Sequence, residues 1–564
     1  MSDVSRRATD LTQRVLRRGH RTWQQVQQHL RRTRSTVDGT PAASVTTQLA
    51  ELTDAGRHAE AVTLAQRHLP GLPTDVPFLD QVRASASKAG ALTLQRRATQ
   101  LRLAATSAAD LIGRERVTAA ARQLEGRWLE TEPGWSPTIA PEVLAGLSPV
   151  TDPVPGRVLH VLKISMPQRQ SGYTMRTMYT LVAEHGSGLE PIAVTALDYP
   201  VSVGVDDAPD REDVRGIAHL RLTRGTPPAK EPFDVYLDAW ATALAPVVAQ
   251  QRPEVIHVHS GARGYESALV AVAVGRALDV PVVYEVRGFF ESLWTKDVAW
   301  SEQSEVYHRR RDTETRSMQA ADAVVTLSES MRQDILDRGV DPAKVFVVPN
   351  GVDTTAFVPR ERNADLVEQI GLNEKFVFGY VSNLDHYREG QELLIDAAVA
   401  LRARGIPAVA LIVGDGQRRG FLEKHAAQVG AGDAVVMTGK VPHDQVLDYY
   451  ALLDVFVIPR IDERAARLVT PLKPFEAMAA GLPLLVSDLP ALTEITGGGT
   501  RGRSFRAGDS GALVEALADL HAHPEKRDAL AAAGREWVDR ERQWSANGPR
   551  YRAIYEQVIA ARRG

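Results

Sequence analysis

Residues 157–186, RVLHVLKISMPQRQSGYTMRTMYTLVAEHG, place a β-branched apolar run before a polar turn and a helical pattern. Similar runs recur along the chain at 255–259, 282–286, 323–327, 345–348, 376–381, 408–413, 434–438, 455–458 and 484–486. Strands that alternate with helices form parallel, doubly wound sheets. The alternation restarts near residue 376, which predicts two Rossmann-like α/β domains that face a cleft.

An all-α domain is predicted ahead of these two domains, at residues 39–150. Ala- and Leu-rich periodicity is broken at Gly56, Pro70 and Gly90, and a proline-rich linker follows. The stretch 56–61, GRHAEA, resembles a tetratricopeptide hairpin, with one fair copy and one poor copy in the region. Because an array needs about three repeats, a plain helical bundle is an equal alternative.

Residues 1–38 are predicted to form a basic amphipathic helix. Nine arginines lie within residues 1–34 against two aspartates, beside an apolar stripe that includes Leu11, Trp23 and Leu30. Such a helix could lie on an anionic membrane surface. The alternative is that the stripe packs on neighbouring helices and the arginines are solvated.

The composition excludes several classes of protein. The 564 residues include no cysteine, so disulfides, thiolate metal sites and cysteine nucleophiles are absent. A net charge of -3 gives no field that would draw the whole chain to nucleic acid. With no signal-peptide pattern and no apolar run of about 18 residues, we expect a cytoplasmic protein, at the inner face of the membrane if the basic helix binds lipid.

Residues that follow the predicted strands are candidate ligand contacts, because open parallel sheets bind ligands beyond the carboxyl ends of their strands. Gly414 follows one such strand, and Lys440 and Val441 follow the next. Each turn lets the backbone approach a ligand, although a glycine at such a turn is often required by geometry alone.

The segment 469–483, VTPLKPFEAMAAGLP, joins a strand to a helix. The start of that helix would offer N–H groups and a positive dipole end to a diphosphate, and Lys473 could add a full charge. Glu476, three residues further on, could accept hydrogen bonds from ribose hydroxyls. The alternative is a solvated Lys473–Glu476 ion pair.

His257 and His259 alternate along one strand and share a face. We interpret His257 as a hydrogen-bonded core histidine. No third ligand or carboxylate cluster accompanies the pair in the sequence, so no metal site is predicted. Asp206 and Asp207, in a Pro- and Gly-rich loop, are interpreted as a solvated turn rather than a Mg²⁺ site.

Taken together, the motifs resemble glycosyltransferase family 4, the group 1 family of retaining enzymes with the GT-B fold. The resemblance spans about residues 157–560 and rests on SGYTMRT (171–177), VIHVHS (255–260), VVPNGVD (347–353), LIVGDG (411–416), VFVIPR (455–460) and TPLKPFEAMAAGLPLLVSD (470–488). It implies an acceptor domain at 151–350, a nucleotide-sugar domain at 351–540 and a crossover helix at 541–564.

The same resemblance implies that Glu476 holds the donor ribose, that Gly172 lies in the loop over the diphosphate and that His259 lies at the cleft floor. The chain departs from the family at three positions. Asn383 occupies the family's phosphate-binding Arg position, and Arg388 or Glu389 falls at its Lys position. Leu468 replaces the family's first glutamate.

The implied function is retaining sugar transfer from a nucleotide sugar to a glycan or lipid-linked acceptor, without a metal or other cofactor, since the nucleotide sugar is a substrate. A nucleotide-sugar epimerase on the same fold and a non-catalytic scaffold are the alternatives. The predicted site comprises catalytic His259, Lys473 and Arg388; donor-binding Gly172, Asn383, Gly414, Lys440, Val441, Thr470, Lys473 and Glu476; and acceptor-side Tyr173, Arg176, Glu285 and Arg287.

Overall fold

A computed structural model describes residues 42–225, 227, 230–442 and 444–563. They form two compact units. The first comprises the described part of residues 1–136 together with 228–237 and 293–313, and the second comprises 137–227, 238–292 and 314–564. The predicted basic helix at 1–38 lies outside the described residues.

The first unit is helical. Its core is formed by small and aliphatic side chains with Phe78 at the centre. Two turns that join consecutive helices contain Gly56 and Gly90, with φ of 70° and 63°. They lie 34 residues apart, which is the tetratricopeptide period. Two helical hairpins of this kind fall short of the three or so repeats that an array needs. The helices are Ala42–Asp54, His58–His68, Val76–Lys88, Leu92–Ala105, Leu111–Leu129 and Val298–Ser301.

Residues 228–237 and 293–313 group with the helical unit, although the sequence placed them in the acceptor domain at 151–350. Trp300 packs on the helical core, and its Nε1 donates to the Ala89 carbonyl oxygen over 2.8 Å. Glu305 accepts a hydrogen bond from the Thr93 backbone N–H at 2.9 Å. These long-range contacts correct the predicted boundary.

The second unit contains two sheets. The first has eight strands in the order β3-β4-β2-β1-β5-β6-β7-β8, all parallel to their neighbours except the antiparallel pair β3 and β4. The strands are β1 Val154–Leu162, β2 Glu190–Thr195, β3 Arg211–Val214, β4 Ile217–Leu220, β5 Pro253–His259, β6 Val282–Glu285, β7 Ala323–Thr326 and β8 Val345–Val347.

The second sheet has six parallel strands in the order β11-β10-β9-β12-β13-β14. Its core includes Phe378, Leu411 and Phe456, which are fully buried. The strands are β9 Phe376–Val381, β10 Ala408–Val413, β11 Val435–Gly439, β12 Val455–Ile458, β13 Leu484–Ser487 and β14 Arg503–Phe505.

Helices surround these sheets, as a doubly wound arrangement requires. Phe233–Gln251 and Glu305–Ala320 contribute residues to both units. No helix of the described chain is long and apolar enough to cross a bilayer. The remaining helices are Pro141–Leu144, Gly172–Gly186, Glu266–Leu278, Glu329–Asp337, Ala364–Ile370, Gln391–Ala403, Arg419–Gln428, Val446–Ala451, Arg464–Leu468, Lys473–Ala479, Pro490–Thr496, Ser510–Ala522, Pro524–Glu541 and Asn547–Arg563.

The last helix, Asn547–Arg563, returns from the second sheet to the first. Its buried face carries Tyr551, Ile554, Tyr555 and Val558, which pack on apolar side chains of β1, β5, β6 and β7. Burial of these large side chains stabilises the return of the chain to the first domain. The two sheets are thus connected at both ends of the second domain.

Candidate functional site

Helix Lys473–Ala479 carries the two residues predicted to bind the donor. Lys473 Nζ donates to Glu476 Oε2 over 2.9 Å, and the Tyr450 hydroxyl donates to the same oxygen over 3.0 Å. The Lys473 side chain is 36% exposed, so its ammonium remains accessible. Lys473 and Glu476 therefore form an ion pair, as the alternative to donor binding predicted. Because Lys473 is accessible, a ligand could separate the pair.

A residue of the first Rossmann-like domain lies beside this helix. A Cβ added to Gly172 would lie 3.8 Å from Leu472 Cδ1, so the start of helix Gly172–Gly186 approaches the segment just before Lys473. Thr470 also lies in this segment, and its carbonyl oxygen accepts a 2.9 Å hydrogen bond from Asn350 Nδ2. The structure thus brings the predicted Gly172, Thr470 and Lys473 together between the two sheets.

Two glycines hold strand ends close together in the second sheet. Gly414 has φ of 142°, and a Cβ there would lie 1.8 Å from the Ser382 carbonyl oxygen. Gly390 has φ of 66°, and its added Cβ would lie 2.1 Å from the Pro459 carbonyl oxygen. Neither position admits a side chain without displacing backbone. These two backbone contacts hold the carboxyl ends of β9, β10 and β12 close to one another.

Lys440 and Val441 directly follow the end of β11, next to Gly414. The Gly414 N–H donates to the Gly439 carbonyl oxygen over 3.1 Å, which fixes the two turns side by side. Lys440 is exposed and Val441 is half-buried. Both therefore remain available at the sheet edge where a nucleotide would lie.

Asn383 and Arg388 lie at or near the two positions where the sequence resemblance places cations for the donor diphosphate. Asn383 is exposed, and its Nδ2 donates to Asp385 over 3.1 Å. Arg388 lies near two carboxylates, with its Nε 3.7 Å from Glu389 and its Nη1 3.8 Å from Glu463. These distances exceed hydrogen-bonding range. Arg388 therefore has donors left for an anion.

A buried ion pair that the sequence analysis missed lies beside Arg388. Glu389 accepts hydrogen bonds from Arg460 Nη2 at 2.9 Å and Nε at 3.1 Å, and from the Tyr380 hydroxyl at 2.6 Å. Burial opposes ionisation of Glu389, but Arg460 outweighs it and holds the pKa of the carboxyl below its usual value. Arg460 also donates to the Val469 carbonyl oxygen. The only signal in the sequence was the arginine that ends VFVIPR.

The first sheet contains a cluster of three histidines. The sequence predicts no third ligand beside His257 and His259. This expectation is wrong, because β1 pairs with β5 so that His160 lies opposite His257. His160 Nδ1 lies 3.0 Å from His259 Nε2, and one ring nitrogen from each of the three histidines lies within 4.8 Å of the other two. Three imidazoles therefore gather inside the first sheet, where their side chains are fully buried.

Hydrogen bonds within the protein also satisfy much of this cluster. His160 Nε2 lies 2.8 Å from Glu184, and His257 Nδ1 lies 2.5 Å from the Tyr555 hydroxyl. The interpretation of His257 as a hydrogen-bonded core histidine is therefore confirmed. Burial holds the pKa of His259 well below its usual value, with Arg287 acting in the same direction. His259 is thus a neutral side chain beneath the cleft, with no surface open to a substrate.

Glu285 forms a second buried network at the end of β6. It accepts hydrogen bonds from Arg287 Nε at 2.6 Å, Arg176 Nε at 3.0 Å and the Tyr551 hydroxyl at 2.6 Å. Burial disfavours its charge, but Arg287 and Arg176 hold the pKa of Glu285 well below its usual value. Arg176 and Glu285 are 3% and 0% exposed, so these two predicted acceptor-side residues position their neighbours rather than contact an acceptor.

Two family models match most of the first sheet and the whole of the second. The model described as "Glycosyltransferase Family 4" matches residues 193–356, and the model described as "Glycosyl transferases group 1" matches residues 363–537. The chain belongs to glycosyltransferase family 4. The first range includes His257, His259 and Glu285, and the second includes Lys473 and Glu476.

Relatives with known names match parts of the chain. A GDP-mannose-dependent alpha-(1-6)-phosphatidylinositol monomannoside mannosyltransferase of Mycolicibacterium smegmatis is 31% identical over 238 residues, 41% of this chain and 61% of the relative. A 2-deoxystreptamine N-acetyl-D-glucosaminyltransferase of Streptomyces fradiae is 28% identical over 311 residues, 53% of this chain and 70% of the relative. The match to the mycobacterial relative thus spans about three fifths of its length.

Solved structures with the same architecture establish the fold as GT-B. A sucrose-phosphate synthase from Thermosynechococcus elongatus superposes with a TM-score of 0.57 at 21% identity, covering 72% of this chain and all of the other. An Anabaena protein in complex with UDP-glucose superposes with a TM-score of 0.53 at 16% identity, covering 72% of this chain and 99% of the other. Two facing Rossmann-like domains, as the sequence predicted, are therefore present.

Proposed function

We propose that this chain is a retaining glycosyltransferase that moves a hexosyl group from a nucleotide-sugar donor to a glycan or lipid-linked acceptor, without a metal. The observation that carries the proposal is the close approach of Gly172 to Leu472, which directly precedes Lys473 and the helix that carries Glu476. This arrangement places a helix start and an accessible ammonium where a donor diphosphate would lie. The names of both relatives above, one of them GDP-mannose-dependent, support transfer from a nucleotide sugar.

In the proposed reaction, the bond between the anomeric carbon and the diphosphate breaks while the acceptor hydroxyl oxygen bonds to that carbon on the same face. The hydroxyl proton passes to a diphosphate oxygen. Negative charge therefore grows on the leaving group, and Lys473, Arg388 and helix-end N–H groups would stabilise it. Donor binding would separate the Lys473–Glu476 pair, so that Glu476 accepts hydrogen bonds from the ribose.

Burial argues against the epimerase alternative. An epimerase needs acid and base side chains that reach its substrate. The histidines and carboxylates that gather in the first sheet, His160, His257, His259, Glu184 and Glu285, all show 0% exposure. The accessible groups are instead Lys473 and, partly, Glu476, which suit binding and charge stabilisation.

We expect the full chain to release nucleoside diphosphate from one member of a panel of UDP- and GDP-hexoses, and to do so equally with and without EDTA. The physical reason is that protein cations replace a metal at the phosphates. Loss of turnover in EDTA, restored by Mg²⁺ or Mn²⁺, would contradict metal independence. Conversion of the donor to its epimer without nucleotide release would identify the epimerase, and no turnover at all would favour the scaffold.

We further propose that residues 1–34 bind a cytoplasmic enzyme to the inner face of an anionic membrane, through their nine arginines. The full chain should bind phosphatidylcholine vesicles that contain phosphatidylglycerol, and added salt should weaken this binding. Vesicles of phosphatidylcholine alone serve as the control. Equal binding by a chain that begins at Thr40 would rule out this role.

A further inference from the structure

Lys163 directly follows β1 and lies at the carboxyl edge of the first sheet. Its Nζ donates to the Gly261 carbonyl oxygen over 2.9 Å, its one hydrogen bond within the described chain. The same atom lies 4.5 Å from the centroid of the Tyr173 ring and 4.8 Å from that of Phe290. The side chain is half-buried, so two ammonium donors remain near solvent at an edge where ligands bind.

A second cation shares the Tyr173 ring. Arg287 Cζ lies 4.9 Å from the ring centroid, and its Nη1 donates to the Tyr173 carbonyl oxygen and to Thr177 Oγ1. The remaining nitrogen, Nη2, is buried and has no hydrogen-bond partner among the described residues. An unsatisfied guanidinium donor costs free energy unless a ligand or water supplies an acceptor.

No carboxylate of the described chain lies within ion-pair distance of the Lys163 ammonium, although Glu266 acts on its charge from further away. Glu266 accepts hydrogen bonds from the Arg263 backbone N–H at 2.9 and 3.0 Å, and Glu285 is bonded to its two arginines. Burial lowers the pKa of Lys163 to about 8, with Glu266 opposing this shift and Arg287 adding to it. The negative charge of Glu266 therefore offsets part of the positive charge that Lys163 and Arg287 bring to this edge, without a direct ion pair to Lys163.

We propose that Lys163 and Arg287, whose cationic groups lie 4.5 and 4.9 Å from the centroid of the same Tyr173 ring, bind a phosphoryl group of the acceptor. The inference rests on the proposed function, because it assigns the acceptor class of the same cleft. An ammonium binds phosphate as a point charge, and a guanidinium binds it by directional hydrogen bonds. Tyr173 directly follows Gly172, so the anchored acceptor would lie next to the segment that receives the donor.

The test measures binding rather than turnover. Glucose 6-phosphate is titrated into the full chain at pH 7 by calorimetry, with saturating UDP or GDP present to fill the donor diphosphate site. Glucose is the neutral control. Lys163→Met should weaken glucose 6-phosphate binding by roughly 10- to 100-fold, the range for a lost hydrogen bond to a charged group. Lys163→Arg should retain binding.

The pH dependence gives a second readout. Between pH 7 and 9 the parent should lose affinity, because the Lys163 ammonium deprotonates with a pKa of about 8 while the phosphate stays dianionic. Lys163→Arg should show no such loss, because a guanidinium stays charged. This comparison remains decisive if Lys163→Met fails to fold, which thermal unfolding and nucleoside diphosphate affinity would reveal.

Two further ligands distinguish the source of the phosphate. Binding of short-chain phosphatidic acid but not of glucose 6-phosphate, with the same response to Lys163→Met, supports a lipid acceptor; the reverse supports a soluble sugar phosphate. Unchanged affinity for both ligands in Lys163→Met overturns the inference, as does binding that is lost only in Lys473→Ala. If the chain turns over a nucleotide sugar but Lys163→Met does not weaken phosphate binding, only the phosphate site is overturned. If Lys163→Met weakens phosphate binding but no nucleotide sugar is turned over, the proposed glycosyl transfer is overturned.

Discussion

Lys473→Ala should lower kcat by roughly a hundredfold or more with little loss of folded protein. The leaving diphosphate gains negative charge as the sugar bond breaks, so the Lys473 ammonium contributes more in the transition state than in the ground state. Its side chain is accessible, and its ammonium donates to Glu476 over 2.9 Å. Steady-state kinetics with the donor identified by the nucleotide-sugar panel provide the measurement.

Glu476→Gln should instead raise the donor KM and leave kcat nearly unchanged. The ribose changes little during the reaction, so hydrogen bonds to it contribute uniform binding. Lys424→Ala, which removes an exposed lysine from another helix of the same domain, serves as the control and should match the parent. If both site variants also match the parent with intact circular dichroism, Lys473 and Glu476 are only a solvated pair worth about 0.2–0.5 kcal/mol.

Glu285→Gln should reduce the free energy of unfolding by about 3–5 kcal/mol, because it leaves two buried guanidinium groups without their carboxylate. Arg176 and Arg287 both donate to Glu285 Oε1, and the Tyr551 hydroxyl donates to Oε2. The amide keeps the size of the side chain and removes its charge. Urea unfolding of the full chain, followed by tryptophan fluorescence, measures the loss.

Glu190→Gln is the matched control for this buried network. Glu190 also pairs with an arginine, Arg157, over 2.8 Å, but its side chain is 50% exposed. An exposed pair of this kind contributes about 0–1 kcal/mol. Similar small losses for Glu190→Gln and Glu285→Gln would show that burial does not strengthen the Glu285 network.

Most strands were predictable because their apolar runs are local. β1, β5, β9, β10 and β12 each contain a local run rich in apolar residues, as buried parallel strands do. β2, β3, β4 and β14 were not predicted. REDV, IAHL and RSF, the sequences of the last three, are short and partly polar. The grouping of residues 293–313 with the helical unit was also missed, since Trp300 contacts Ala89 from 211 residues away.

The donor side was predictable for the same reason, and the buried networks were not. Lys473 and Glu476 are three residues apart on one helix, so their proximity follows from helix geometry. His160 and His259 are 99 residues apart, and Glu389 and Arg460 are 71 residues apart. Strand order and strand register determine which of these distant residues come into contact, and neither can be derived from local sequence patterns.

The sequence by itself determined two doubly wound domains, the helical region ahead of them and the Lys473–Glu476 pair, because hydrophobic periodicity and helical spacing act over a few residues. Only the tertiary structure decided that Arg176 and Glu285 are interior residues and that Lys163 reaches Gly261 across 98 residues. Parallel strands bring their carboxyl ends to one edge, so residues from distant segments share one charge environment. Burial then decides which of those charges are paired and which remain free for a ligand.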